Sequence, residues 1–205
     1  MSKEASTDFP ISELIAKRWS PYAFEDRPVS RADLCSLLEA ARWAPSSYNE
    51  QPWSYILATR DEPDEFAKLL SCLLEGNQEW AKVVPVLLVG CTSLNFNRNG
   101  KPNAAATHDL GLAAGNLCLE ATARGLCVHQ MIGIEPDKVR ELYQVPDGVL
   151  ALTALAIGYA AAPGTLSEKF RERDLATRAR KPLSEFVFGS QWGLSSGAIN
   201  KATVE

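Results

Sequence analysis

Histidine is scarce in this chain: only His108 and His129 occur, far apart, with no Cys, Asp or Glu around them at metal-ligand spacing. The adjacent His108-Asp109 pair alone makes no site, so zinc and non-haem iron are disfavoured. Five cysteines are an odd number, and none falls in a C-x-x-C. They stand among Leu, Val and Ala, which reads as small buried hydrophobes in a reducing cytoplasm rather than a disulfide framework. A reactive thiol is the less common alternative. Excess positive charge is missing too: the net charge of −4 gives no footprint for nucleic acid. No apolar run is long enough to span a bilayer, since the longest, residues 149 to 162, is interrupted by Thr153. The first ten residues, MSKEASTDFP, have no apolar segment behind them, so no secretory signal is expected. Zinc-protease, P-loop and dinucleotide-binding fingerprints are all absent. With no nucleophile set and no metal set, reactivity is expected to come from a bound cofactor.

What is present describes an ordinary globular chain. Its 205 residues are 46% hydrophobic and 22% charged, enough for one full core and short for two. Apolar spacing predicts helices over 10–18, 31–43, 107–124 and 136–143, and another from Pro63 that Gly76 breaks. Ser30 with Asp33 has the form of an N-cap for the second of these. Strands are expected at 54–59, 83–90, 126–133 and 149–160, with Pro85 marking the second as an edge or a bulge. Residues 92–106 read as a mobile polar loop. The helix over 107–124 is apolar nearly all round, and Gly111, Ala113, Ala114 and Gly115 would let a backbone or a flat ligand approach. Alternating helices and strands without a linker imply a single α/β or α+β domain spanning 1–205. The charged and aromatic tail, with Phe186, Phe188 and Trp192, has no regular period, and 184–205 is expected to pack on another surface as an arm.

Two groups of cations stand out. Arg18 ends the first helix and is followed by Trp19, Ser20 and Tyr22, while Arg178, Arg180 and Lys181 cluster far downstream. Guanidinium forks plus a hydroxyl are what a phosphate monoester requires, although solvated surface charge is the commoner fate of such groups. The segment APSSYNEQPW, residues 44–53, places several polar side chains between Pro45 and Pro52, more than a connector needs.

Together, KRWSPYAF, APSSYNEQPW, the Asn77 segment before a strand and RARKPL, in that order, resemble the FMN-dependent nitroreductase family. The first is similar to the family's R-x-S-x-R-x-F element and the second to its [AS]-P-S-x-x-N-x-Q-P-W segment. The resemblance implies an α+β fold with a central, mostly antiparallel sheet flanked by helices, in an interlocked homodimer with two FMN sites at the subunit interface. It implies an NAD(P)H-dependent FMN oxidoreductase that passes electrons to a nitroaromatic, quinone or similar acceptor. A more specialised flavin reaction (enone reduction, dehalogenation or dehydrogenation) and a non-enzymatic flavin-binding module stay open. No residue is assigned a catalytic role, because the flavin carries the chemistry.

By the same resemblance, Arg18, Trp19 and Ser20 approach the phosphate and ribityl end, and Arg178 and Arg180 complete the phosphate clamp. Asn49 meets the polar edge of the ring, Pro45, Ser46 and Ser47 come from the partner subunit, and Asn77 binds flavin. Gly133 lets backbone approach the ring near N5. Plainer readings exist: Asn49 as a turn residue, Gly133 as a strand terminator and Trp53 as core packing. The chain departs from the pattern at Tyr22, where a second Arg or Lys is usual, and at Trp80, where some members have Lys. Lys17 or backbone donors could compensate. Phe96 and Arg98, in the loop after the second strand, are where the choice of acceptor is expected to be made.

Overall fold

The computed structural model describes residues 3–199. Helix α1 (Glu13–Lys17) is short, and α2 (Arg31–Arg42) starts at a reciprocal cap. The Ser30 hydroxyl accepts from the Asp33 N–H at 3.0 Å and donates to the Asp33 carboxylate at 2.7 Å. Strand β1 (Trp53–Thr59), α3 (Pro63–Leu70), α4 (Glu75–Ala81) and β2 (Val86–Ser93) follow. Then come α5 (Ala106–Ala123), β3 (Cys127–Met131), α6 (Pro136–Tyr143), β4 (Val149–Gly158) and α7 (Glu168–Leu175). Both α3 and α6 begin on a proline, whose fixed φ suits a first turn and whose missing N–H costs nothing there.

The strands form one antiparallel sheet in the order β1-β2-β4-β3. Its central strands bury side chains on both faces, which is why they read as unbroken apolar runs. Leu87 and Val89 of β2, with Ala154 and Ala156 of β4, face a core that includes Leu69, Leu73, Trp80 and Phe170. Val86 and Leu88, with Leu155 and Ile157, face Leu37 and Ala41 of α2 and Leu117 and Ala121 of α5. Helices therefore cover both sides of the sheet. Gly90 and Cys91 pair with Thr153 and Ala151, so Leu152 is the extra residue of a bulge in β4, and a Cβ on Gly90 would lie 3.2 Å from the Thr153 methyl.

Five expectations change. Gly76 does not end a helix: the break falls at residues 71–74, and Gly76 lies inside α4. Leu74 is held extended there, its N–H donating to the Gly133 carbonyl at 3.0 Å. Pro85 marks neither an edge nor the bulge. It precedes β2, which is internal to the sheet, and its carbonyl accepts from the Arg60 N–H. The loop after β2 is a closed hairpin, with Asn95 bridged to Pro102 and Phe96 N–H donating to the Lys101 carbonyl at 2.8 Å. Gly100 turns its tip at φ +68°. Cys35 is exposed, whereas Cys72, Cys91 and Cys118 are buried and Cys127 is half-buried. The tail is more regular than its sequence suggests, since α7 buries Phe170 and Asp174.

Beyond α7, Phe188 bridges Ser195 and stacks near Trp192, with ring centroids 5.0 Å apart. Phe186, Trp192 and Leu194 stay exposed. Residues 200–205 of the expected arm lie outside the described residues.

Candidate functional site

The chain leaves α1 extended at Arg18, whose guanidinium donates to the Ser20 hydroxyl at 3.2 Å. Both residues line a cleft of about 440 Å³ between α5 and β3. Gly111 and Gly115 form part of its α5 wall, and a Cβ built on either would meet nothing within 4 Å, so their hydrogens leave that wall open. Cys118 and Gln130 also line it, and the Gln130 amide donates to the Cys118 sulfur at 3.2 Å. Burial pushes the Cys118 thiol up, which keeps it protonated and weakly nucleophilic.

Arg178 approaches Arg18 from far along the chain and does not itself line the cleft. One of its nitrogens donates to the carbonyls of Lys3 at 2.6 Å and Ala16 at 2.7 Å, at the inner end of α1. Its pKa is lowered, first by burial and then by the positive charges of Arg18 and Arg180. Arg18 and Arg180 thus both act on Arg178, and among the described residues none of the three pairs with a carboxylate. An arrangement of that kind favours an anion. Trp19, expected beside these cations, lines a separate hollow of about 220 Å³ with Lys3, Pro163 and Leu175.

The APSSYNEQPW segment forms a tight turn. Tyr48, Asn49 and Gln51 all take left-handed backbone at φ 54°, 56° and 52°, a costly conformation for side-chain-bearing residues. Short bonds hold it: the Ser46 hydroxyl accepts from the Gln51 N–H at 3.0 Å, and the Ser47 N–H donates to the buried Asp109 carboxylate at 2.9 Å. His108, largely exposed, contacts the other oxygen of Asp109. Pro45, Ser46, Ser47 and Asn49 do not line the Arg18 cleft of their own chain.

Asn77 and Gly133 meet each other. The Asn77 amide donates to the Gly133 carbonyl at 2.9 Å, and a Cβ on Gly133 would lie 2.5 Å from the same nitrogen. Neither lines the Arg18 cleft. Glycine at 133 is therefore fixed by the close approach of Asn77, over and above any terminating role.

The sequence hid several partners. Asp109 was visible only as a carboxylate inside an otherwise apolar helix. Tyr22 and Trp80, the two departures from the family pattern, touch: their ring centroids are 5.2 Å apart, and each lies 4.6 Å from His129. His129 donates through Nδ1 to the Pro21 carbonyl at 2.8 Å, and burial lowers its pKa. Tyr22 N–H donates to Asp174. No single-chain pattern links positions 22, 80 and 129.

The Nitroreductase family model matches residues 15–159, and the chain belongs to that family. A crystal structure described as an oxidoreductase containing FMN is similar over 94% of this chain and 98% of its own, at 33% identity and a TM-score of 0.87. A nitroreductase family protein of Clostridium difficile 630 is similar over 89% of this chain and 99% of its own, at 26% identity and a TM-score of 0.68. The FMN reductase (NADPH) of Bacillus subtilis is 29% identical over 77% of this chain and 67% of its own length.

Proposed function

We propose that the protein is a homodimeric, FMN-dependent NAD(P)H oxidoreductase that reduces nitroaromatics, quinones or similar electrophilic small molecules. The observation that carries this reading is that Arg18 and Ser20 line the cleft, with Arg178 anchored on the Ala16 carbonyl close to Arg18. These guanidiniums and the Ser20 hydroxyl suit the phosphate monoester of FMN, and the bare backbone at Gly111 and Gly115 leaves room alongside. Bound flavin would supply the hydride chemistry, taking electrons from NAD(P)H and delivering them to the acceptor.

The chain's own residues would hold and shape the site. Asn49 is placed on a strained turn that does not line its own chain's cleft, which suits donation, with Pro45, Ser46 and Ser47, to a partner's cofactor. Asn77 locks the backbone at Gly133, presenting a chain segment without a side chain where the resemblance places the ring. The exposed Phe186, Trp192 and Leu194 suit an arm lying on the partner. No helix among the described residues is long and apolar enough to cross a membrane. Free cysteines suit the reducing cytoplasm.

The test is the visible spectrum of the purified protein. Yellow protein that bleaches with NADH or NADPH, and recovers colour on addition of a nitroaromatic or quinone, supports the reading. Colourless protein that cannot be reconstituted with FMN overturns it.

A further inference from the structure

The hairpin after β2 carries a constellation that the flavin reading leaves unused. Its tip places the Arg98 guanidinium 4.1 Å from the centroid of the Tyr48 ring and 5.0 Å from that of Phe96. The two rings meet edge to face at 5.8 Å. Tyr48 belongs to the strained turn of the APSSYNEQPW segment, and that turn grips the hairpin a second time. The Glu50 carboxylate accepts from the Asn97 N–H at 2.5 Å. A ring contact and a charge-assisted hydrogen bond thus fix residues 96–98 against the segment that bears Asn49.

Arg98 is held without being neutralised. It forms no ion pair among the described residues, and the nearby Glu50 carboxylate is engaged by the Asn97 backbone. Two aromatic rings stabilise the cation and restrict its rotamers, and cation–π contact consumes none of its N–H donors. A planar fork, immobilised beforehand, recognises an oxyanion with less loss of side-chain entropy than a free arginine. The net charge of −4 means that attraction for an anion here has to be local. Tyr48 itself is exposed, so its ring edge and the guanidinium form one mixed aromatic and cationic surface.

We propose that Arg98, seated on Tyr48 and Phe96, is a specificity-determining residue that binds the anionic group, carboxylate or phosphate, of an aromatic substrate entering the site. This rests on the oxidoreductase reading above. The oxyanion has two sources, a carboxylate on the electron acceptor or a phosphate of the nicotinamide reductant, and the experiment separates them.

Holoenzyme and its Arg98→Gln variant are compared with para-nitrobenzoate and para-nitrobenzamide, which differ in charge and little in size. If the acceptor supplies the anion, the ratio of kcat/KM for the benzoate over the benzamide falls about tenfold, through KM, as expected for loss of a charged hydrogen bond. Arg98→Lys restores part of the ratio. Tyr48→Ala, which keeps the charge and removes its platform, lowers the ratio severalfold. If the reductant supplies it, the ratio stays put, and flavin reduction by NADPH or NADH in stopped flow needs about tenfold more nucleotide. Neither change, or an equal loss for charged and neutral acceptors, overturns the proposal. Calorimetric binding of benzoate and NADP+ to the protein as purified gives a second readout. A protein without flavin would fail the oxidoreductase reading in its spectrum, while the Arg98 dependence of anion binding would still be read.

Discussion

At the scale of single residues, the most informative positions are those where the chain leaves its family's pattern. Tyr22 and Trp80 stand where cations are common, and here they share one aromatic cluster with His129 and Phe170. Changing Trp80 to Lys alone would bury an ammonium among rings. It should destabilise by about 3 kcal/mol or more in urea titration, an effect large enough to identify the burial of an unpaired charge. His129 adds a pH dependence. Its folded pKa lies below the ordinary 6.5, so the folded state resists protonation. Its contribution is fully present above pH 6.5 and is lost as pH falls through the folded value. Unfolding free energy should therefore decline on acidification, and His129→Gln should flatten that part of the profile. Gly133→Ala forces a methyl against the Asn77 amide. A loss of about 1–3 kcal/mol is expected in thermal or urea denaturation, because the Asn77–Gly133 bond must open.

Among the elements, legibility followed periodicity. Residues 136–143 and the helices α2 and α5 were readable because their apolar spacing or their caps are local facts. Ser30→Ala should cost about 1 kcal/mol in the same denaturation assay, since it removes both halves of the cap on α2. Where the sequence misled, a distant partner had decided. Gly76 is tolerated inside α4 because Leu74 is pinned to Gly133 just ahead of it, and that partner lies across the fold. The hairpin at 94–103 looked like a loose polar loop because its backbone bonds, and the grip of Glu50 on Asn97, leave no mark on composition. The cationic cluster was legible as residue types, and Asn49 as part of a motif. That Trp19 turns to a different hollow, and that Asp109 secures Ser47, depend on side-chain directions that no spacing rule reports.

For the whole molecule, Phe186, Trp192 and Leu194 and, in the α1 region, Ile11, Leu14 and Ile15 are exposed, and the proposed homodimer would use such surfaces. Removing residues 184–205 should shift the protein toward monomer in analytical ultracentrifugation and lower its flavin content. A truncated chain that stays dimeric and fully yellow would refute the arm. The Arg178–Ala16 bond has a further consequence for how the molecule is made. Arg178 reaches the Ala16 carbonyl across 162 positions of sequence, and it is this reach that brings the downstream cations beside Arg18. During synthesis the sheet and both its helical layers up to β4 emerge first, so the cleft takes shape before Arg178 exists. On the proposed role of Arg178, cofactor loading on the ribosome would wait for the last stretch of chain.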